Sequence, residues 1–450
     1  MNPVLALAPR LQRAGGRDER TTTLLAVTAF AVSTALALSV LGGLLTFVGR
    51  AADPANDYQR ETGDFYVTLA WIATVLLLVP VVTLAGAAAR LGLSRRDARL
   101  ASLRLLGATP REVVGLTVVE TALQGLVGAV LGTVLYGALL PVWTQVPFQG
   151  APPTVAELWV GVPAVLAAWA AVPVVAVVSG LVSLRQVVVS PLGVAQRVQR
   201  PRLRAARLVL ALVGLGVFMV LSAVRGALGA ALVAFLLGGL LLAFATMNAV
   251  GPWLVAVIGR RQLRRARTPA QLLAARRLLG DPRAVWRVVG GLGLASFVAG
   301  CLAVVPAMVG GDVRPQDAML MQDVLTGALL TLAIAFLLAA VSAGIAQAGQ
   351  VLDRRREYAL AALAGVPAEL FDAARRREVL VPVLVVSVGS ALAALVMCLP
   401  LIGMAVVAAP AGLVLVVVSL AGGAALVLGA TESARPLLRR VLADTVVRAD

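Results

Sequence analysis

"RRDARLASLRLLGATPREV", residues 95–113, sets arginines beside leucines between two long apolar runs and breaks at Gly-Ala-Thr-Pro. Ser94 with Asp97 three residues on resembles a capping box that opens a helix. Leu100, Leu103 and Leu106 recur every three residues as one apolar stripe, with Arg95, Arg99 and Ser102 on another face. Gly107 stands where a C′ glycine stops a helix. Thr109, Pro110 and Glu112 then offer an N-cap, a first-position proline and the distal half of a new capping box. The stretch reads as a short amphipathic helix, a break and the start of a membrane span. So short a helix is not stable alone, and its stripe must be buried against something.

Residues 354–370, "RRREYALAALAGVPAEL", form a fainter copy. Shifting the chain by 258 residues lays Gly86 on Gly344, Arg96 on Arg354, Gly107 on Gly365 and Glu120 on Glu378 without a gap. Gly365, Pro367 and Glu369 repeat the stop and restart, with the proline one position early. Two units of like order are therefore expected, residues 1–200 and 259–450, each with an amphipathic segment and four spans. Residues 201–258 would form a two-span hairpin between them. An even number of spans between the copies gives both the same orientation, hence parallel repeats about an axis normal to the membrane. The stretches "LALAPRLQRAGGRDER" and "QLLAARRLLGDPRAVW", each ahead of the first span of its unit, are expected to lie along the inner interface.

Composition agrees with a membrane setting. The chain is 60% hydrophobic and 14% charged, with a mean hydropathy of +0.94 over 450 residues, far too apolar to cover a soluble core. A hydrocarbon layer takes about 20 apolar residues per helix. On that measure ten spans are expected, near 23–48, 65–89, 113–139, 160–183, 208–224, 228–252, 286–309, 324–348, 379–399 and 408–429. The expected fold is an all-α polytopic membrane protein of about ten transmembrane helices, two parallel four-helix repeats joined by a two-helix hairpin.

All 39 basic residues are arginines. With the N-terminus inside, only Arg50, Arg60, Arg225 and Arg314 fall in outer loops. That asymmetry places both termini in the cytoplasm of a multi-pass inner or plasma membrane protein. Topology thus accounts for the net charge of +17, and no nucleic-acid partner is expected. The N-terminus offers no signal peptide, because its amphipathic start leads straight into a full-length span. Cys301 and Cys398 lie in apolar runs without metal or disulfide spacing, so no metal site is expected. The absence of histidine excludes Ser-His-Asp triads and histidine zinc sites. The absence of lysine excludes a P-loop, whose lysine reaches the nucleotide phosphates. No enzymatic activity is expected of this chain, and any ATP hydrolysis must come from a partner.

Residues 95–132, "RRDARLASLRLLGATPREVVGLTVVETALQGLVGAVLG", resemble the signature of the FtsX-like (MacB/LolC-type) permeases of ABC transporters. The resemblance rests on a basic helix, then L-R-x-L-G-A-[ST], then an acidic residue entering a span with closely spaced glycines. The second copy is weaker, since Ala362 replaces Arg104 and Ala364 replaces Leu106. The repeated four-span unit with a linking hairpin resembles the ten-span members. The resemblance implies that each short cytoplasmic helix docks on a separate ABC ATPase subunit, which carries ATP and magnesium; this chain binds no cofactor. It puts Arg96, Arg99, Leu103, Arg104, Leu106 and Gly107 in the first docking helix. It puts Arg354, Glu357, Tyr358, Leu363 and Gly365 in the second. Two docking helices per chain imply one permease chain per ATPase dimer, in contact with membrane lipid.

Glu120 and Glu378 sit a turn or two into matching spans, where a carboxylate is costly. Two readings stand side by side: a salt bridge that transmits docking-helix motion, or a head group that snorkels to the interface. Gln124 and Gln347 would extend a polar contact, and Gly125, Gly128 and Gly132 form small-residue faces for tight helix packing. The loop 49–64 is too short for the large outer domain of many FtsX-like permeases, so cargo would meet the spans directly. The leading expectation is the permease subunit of an ABC exporter or extraction system for a lipophilic or amphipathic compound, peptide or lipid. A non-transporting mechanotransmitter and a secondary transporter with internal repeats are the alternatives.

Overall fold

A threonine followed three residues later by Glu or Gln starts three of the helices. The computed structural model describes residues 17–89, 109–188, 232–302, 315–402, 410–433 and 435–438. In it Thr109, Thr154 and Thr268 accept the backbone N–H of Glu112, Glu157 and Gln271, whose side chains return the bond. The helices in chain order are α1 (Arg17–Ala52), α2 (Asp57–Ala89), α3 (Pro110–Trp143), α4 (Val155–Leu158), α5 (Gly161–Val188) and α6 (Leu232–Arg265). They continue with α7 (Pro269–Gly280), α8 (Pro282–Leu302), α9 (Pro315–Asp353), α10 (Arg355–Leu363), α11 (Ala368–Ile402) and α12 (Pro410–Glu432). Among the described residues there is no strand, only an isolated bridge between Phe148 and Ala151.

Among the described residues, seven helices are long and apolar enough to cross a membrane: 20–52, 57–89, 114–143, 155–181, 318–352, 369–396 and 416–438. They fall on seven of the ten expected spans. The expected span 286–309 is met by the shorter apolar stretch Val288–Cys301 within α8. The expected span 228–252 falls on α6. The expected span 208–224, the first docking helix and the N-terminal amphipathic segment lie outside the described residues.

The helices outrun the hydrophobic stretches at their ends. The loop expected at 49–64 shrinks to residues 53–56, because α1 continues to Ala52 and α2 begins at Asp57. The reason is local. Asn56 Oδ1 accepts the Gln59 N–H at 2.8 Å and Gln59 Oε1 accepts the Ala55 N–H at 2.8 Å, a cap that hydropathy does not register. At the other end, α9 has 39 residues, about 58 Å at 1.5 Å per residue, against a hydrocarbon core of about 30 Å. It is therefore longer than a helix needs to be to cross the hydrocarbon core.

Packing has the same plan in the two halves. In the first, α1 packs on α2 and α3, and α3 on α5. In the second, α8 packs on α9, α11 and α12. The halves meet mainly where α2 lies against α9. The starts of α2 and α9, and of α3 and α11, are each 258 residues apart, the offset found in the sequence. A Cβ on Gly42 would lie 3.2 Å from the Tyr136 hydroxyl, and one on Gly300 would lie 2.7 Å from Ala394 Cβ, a pair of contacts at that same offset. The amphipathic helix α7 runs beside α6 and α11 and buries Ala274, Ala275 and Leu278.

Candidate functional site

Two places gather polar side chains in an otherwise apolar bundle. The first lies where α9 gives way to α10. Arg354 alone separates the two helices, and the helical bonding continues across it, with the Arg354 N–H on the Gln350 carbonyl and the Tyr358 N–H on the Arg354 carbonyl. α10 runs for nine residues and its stop falls at Gly365, two residues past its end, whose φ of +80° suits glycine. The Val366 N–H bonds the Ala361 carbonyl at 3.1 Å, the six-to-one bond of a Schellman stop.

The two faces of α10 differ. Tyr358, only 3% exposed, packs with Val351, Phe371 and Leu438, with Leu273 of α7 alongside. Its ring meets Phe371 edge-on at 5.5 Å and lies 5.1 Å beneath the Arg277 guanidinium, which also donates to the tyrosine oxygen at 3.2 Å. Leu360 and Leu363, one turn apart, are 51% and 60% exposed, and Glu357 is exposed beside them. Of the residues expected to dock, Leu363 and Glu357 thus face outward, while Tyr358 faces the bundle and anchors the helix.

Glu378 completes this cluster from α11. Buried with its side chain 6% exposed, it pairs with Arg277 of α7 at 3.7 Å and with Arg354 at 4.0 Å. One carboxylate therefore joins the amphipathic helix, the α9–α10 junction and the span that follows. Glu378 thus lies buried between two guanidinium groups of different helices. Its counterpart Glu120 is buried in α3 at the matching place, and Gln124 beyond it donates to Thr23 of α1 at 3.4 Å.

Sequence reading treated the three arginines of "ARRREVL" only as topology markers. Arg375 turns inward, fully buried, and donates to the Thr431 carbonyl at 2.7 Å and to Glu432 at 3.1 Å. Arg376 also reaches Glu432, and Arg377 reaches Thr268, so the three ends tie α11 to α12 and to the start of α7.

In the first unit the described part of the matching region begins at Thr109. Thr109 Oγ1 accepts the Glu112 N–H, and the Glu112 carboxylate accepts the Thr109 N–H and hydroxyl at 2.8 Å. These bonds hold the Glu112 carboxyl below its ordinary range. Their contribution is present above that range and fades as pH falls through it. Thr109→Ala should cost about 1 kcal/mol, as N-cap losses do. Faster hydrogen exchange confined to the first turn of α3 would show it; unchanged exchange there would refute the cap's role.

The second place lies at the other end of the bundle, where α1 turns into α2. A cavity of about 260 Å³ opens between α1, α2 and α9, closed off by the segment after α3. Arg50 donates to Glu157 at 3.0 Å and to the Phe148 carbonyl at 3.0 Å. Tyr66 donates to Asp323 at 2.6 Å, bonding the first half to the second. Of these residues only Arg50 stands out in the sequence, as one of the few outer arginines, while Tyr66, Glu157 and Asp323 do not. The available signal was an isolated acid, Asp323, at the edge of an apolar run.

Comparison with known proteins bears on the first unit, not on the α9–α10 cluster itself. Residues 72–191 match the family described as FtsX-like permease C-terminal. The match runs from the second half of α2 through the first basic segment to the region after α5. That segment is therefore similar to the FtsX-like permeases, and it lies in a chain with seven helices among the described residues that are long and apolar enough to span a membrane. Neither a curated protein nor a solved structure matches the chain.

Proposed function

We propose that the chain couples ATP hydrolysis by a separate cytoplasmic ATPase to the export or extraction of a lipophilic or amphipathic substrate. In this reading both termini are cytoplasmic, and α10 and the segment at 94–107 are the two docking helices of one chain on one ATPase dimer. The observation that carries it is the division of α10 into an exposed Leu360–Leu363 face and an inner face locked by Tyr358, Arg277 and Glu378. Two leucines a turn apart and exposed at a helix surface fit insertion into a partner's groove. The locked face makes any tilt of α10 a displacement of α7, α9 and α11 together. The apolar cavity at the opposite end favours transport over pure mechanotransmission, since it offers cargo a place to sit.

Co-expression with the cognate ATPase tests this. Leu360→Asp with Leu363→Asp should cut ATPase co-purification at least about tenfold, the loss of roughly 1.4 kcal/mol of contact. Tyr358→Ala should leave the complex able to form while ATP turnover no longer responds to substrate. A double-aspartate variant that still binds the ATPase fully would overturn the docking assignment.

A further inference from the structure

We infer that the cavity between α1, α2 and α9 takes the apolar tail of a cationic amphiphile, whose ammonium head rests on the Asp323 carboxylate. This rests on the export reading above and names the chemistry of the cargo. At about 260 Å³ the cavity is just below the range of about 300–1,000 Å³ of small-molecule sites. It admits a single chain or a small ring system and excludes a whole two-chain lipid. Leu69, Ile72, Leu76, Leu77, Leu330 and Ile334 supply most of its wall.

The polar side chains on that wall decide the head group. Ser39, Thr46, Thr74 and Thr331 each donate a hydroxyl to a carbonyl one turn back. Trp143 gives its indole N–H to Ser39, and Tyr66 gives its hydroxyl to Asp323. Arg50 commits its Nε and one terminal nitrogen to Glu157 and the other to the Phe148 carbonyl. Each of these hydroxyls, the indole and each Arg50 nitrogen already has a partner inside the protein, and Glu157 balances the Arg50 charge, so an anionic head finds no uncompensated cation there.

Asp323 is the reverse case. It is 8% exposed, and its Oδ2 accepts both the Tyr66 hydroxyl and the Gln149 N–H at 2.6 Å. Its Oδ1 accepts no hydrogen bond among the described residues. Arg50 is balanced by Glu157, which leaves Asp323 as the charge at the cavity without a counter-ion among those residues. A buried carboxylate in that position is costly, and an ammonium supplies both the missing donor and the opposite charge.

The test uses the full chain alone in phosphatidylcholine nanodiscs, with three photoreactive probes of equal length: a decylammonium, a decyl sulfate and decanol, each carrying a diazirine. The ammonium should label the peptides around 69–77 and 324–334 about tenfold more than the sulfate, an advantage equal to one well-placed charge contact. Asp323→Asn, which keeps an acceptor for Tyr66 and Gln149, should bring the two within about twofold. Ala73→Phe, which fills the cavity, should reduce labelling by all three. Sulfate labelling equal to ammonium labelling, or a preference that survives Asp323→Asn, overturns the inference. The three-probe comparison on the unmutated chain stands even if Asp323→Asn does not fold. No ATPase is present, so these failures refute the cargo assignment, whereas retained ATPase binding by the double-aspartate variant refutes the coupling reading.

Discussion

Glu378→Ala should destabilise the chain by about 3–5 kcal/mol, the usual result of removing one partner from a buried ion pair. The cost comes from what stays behind. Arg277, 10% exposed, and Arg354 would face each other beside Tyr358 with no carboxylate between them. Thermal unfolding in nanodiscs measures the loss. A double-mutant cycle separates the pair from each residue's own packing: Arg277→Ala with Glu378→Ala should cost clearly less than the two single changes added together. A carboxylate that merely snorkelled to the interface would lose less than about 1 kcal/mol, as exposed pairs do, and the cycle would be additive. That outcome would remove the cluster from the mechanism, because α7 and α11 would no longer be tied to α10 through a shared charge.

The features legible in the sequence are those set by short-range stereochemistry. Thr109, Pro110 and Glu112 announce the start of α3 because a capping box needs only a fixed spacing of three residues. Gly365 announces the end of α10 because its left-handed backbone suits glycine. Hydropathy located seven of its ten expected spans on long apolar helices among the described residues but missed helical ends that carry charge, such as Asp57 and Glu61 at the start of α2.

What escaped depends on long-range register. Periodicity puts Tyr358 on α10, yet its inward turn depends on Arg277, 81 residues earlier in the chain, and on Phe371. The Tyr66–Asp323 bond joins residues 257 apart across the meeting of the two halves, and no local pattern marks it. Matching charges are also used unequally. Residues 375–377 read as one basic run, but each arginine has its own partner set, and the fully buried Arg375 is the least expected on hydropathy grounds.

Gly132→Ala should be the second large loss, about 2–3 kcal/mol, near the upper end of what overpacking a tight contact costs. A Cβ there would lie 2.6 Å from the Ala31 carbonyl oxygen and 2.6 Å from Thr34 Cβ. The first of these is backbone, so no side-chain rotation relieves it, and α1 and α3 must move apart. Between helices in lipid there is no hydrophobic drive to restore the contact, since the surrounding tails are as apolar as the partner. Separation also loosens the neighbouring approach at Gly128, where a Cβ would come within 2.4 Å of Phe30 Cβ. Gly137, five residues further along α3, is the internal control, because a Cβ there meets nothing within 4 Å. Gly137→Ala should be neutral or stabilising by up to about 1 kcal/mol, the helix-propensity gain of alanine over glycine. Opposite signs at two glycines of one helix cannot arise from propensity alone. Thermal unfolding of the two variants in the same nanodiscs is decisive: equal shifts would mean that the glycines set no helix spacing, and that α1 and α3 are held together by their larger side chains.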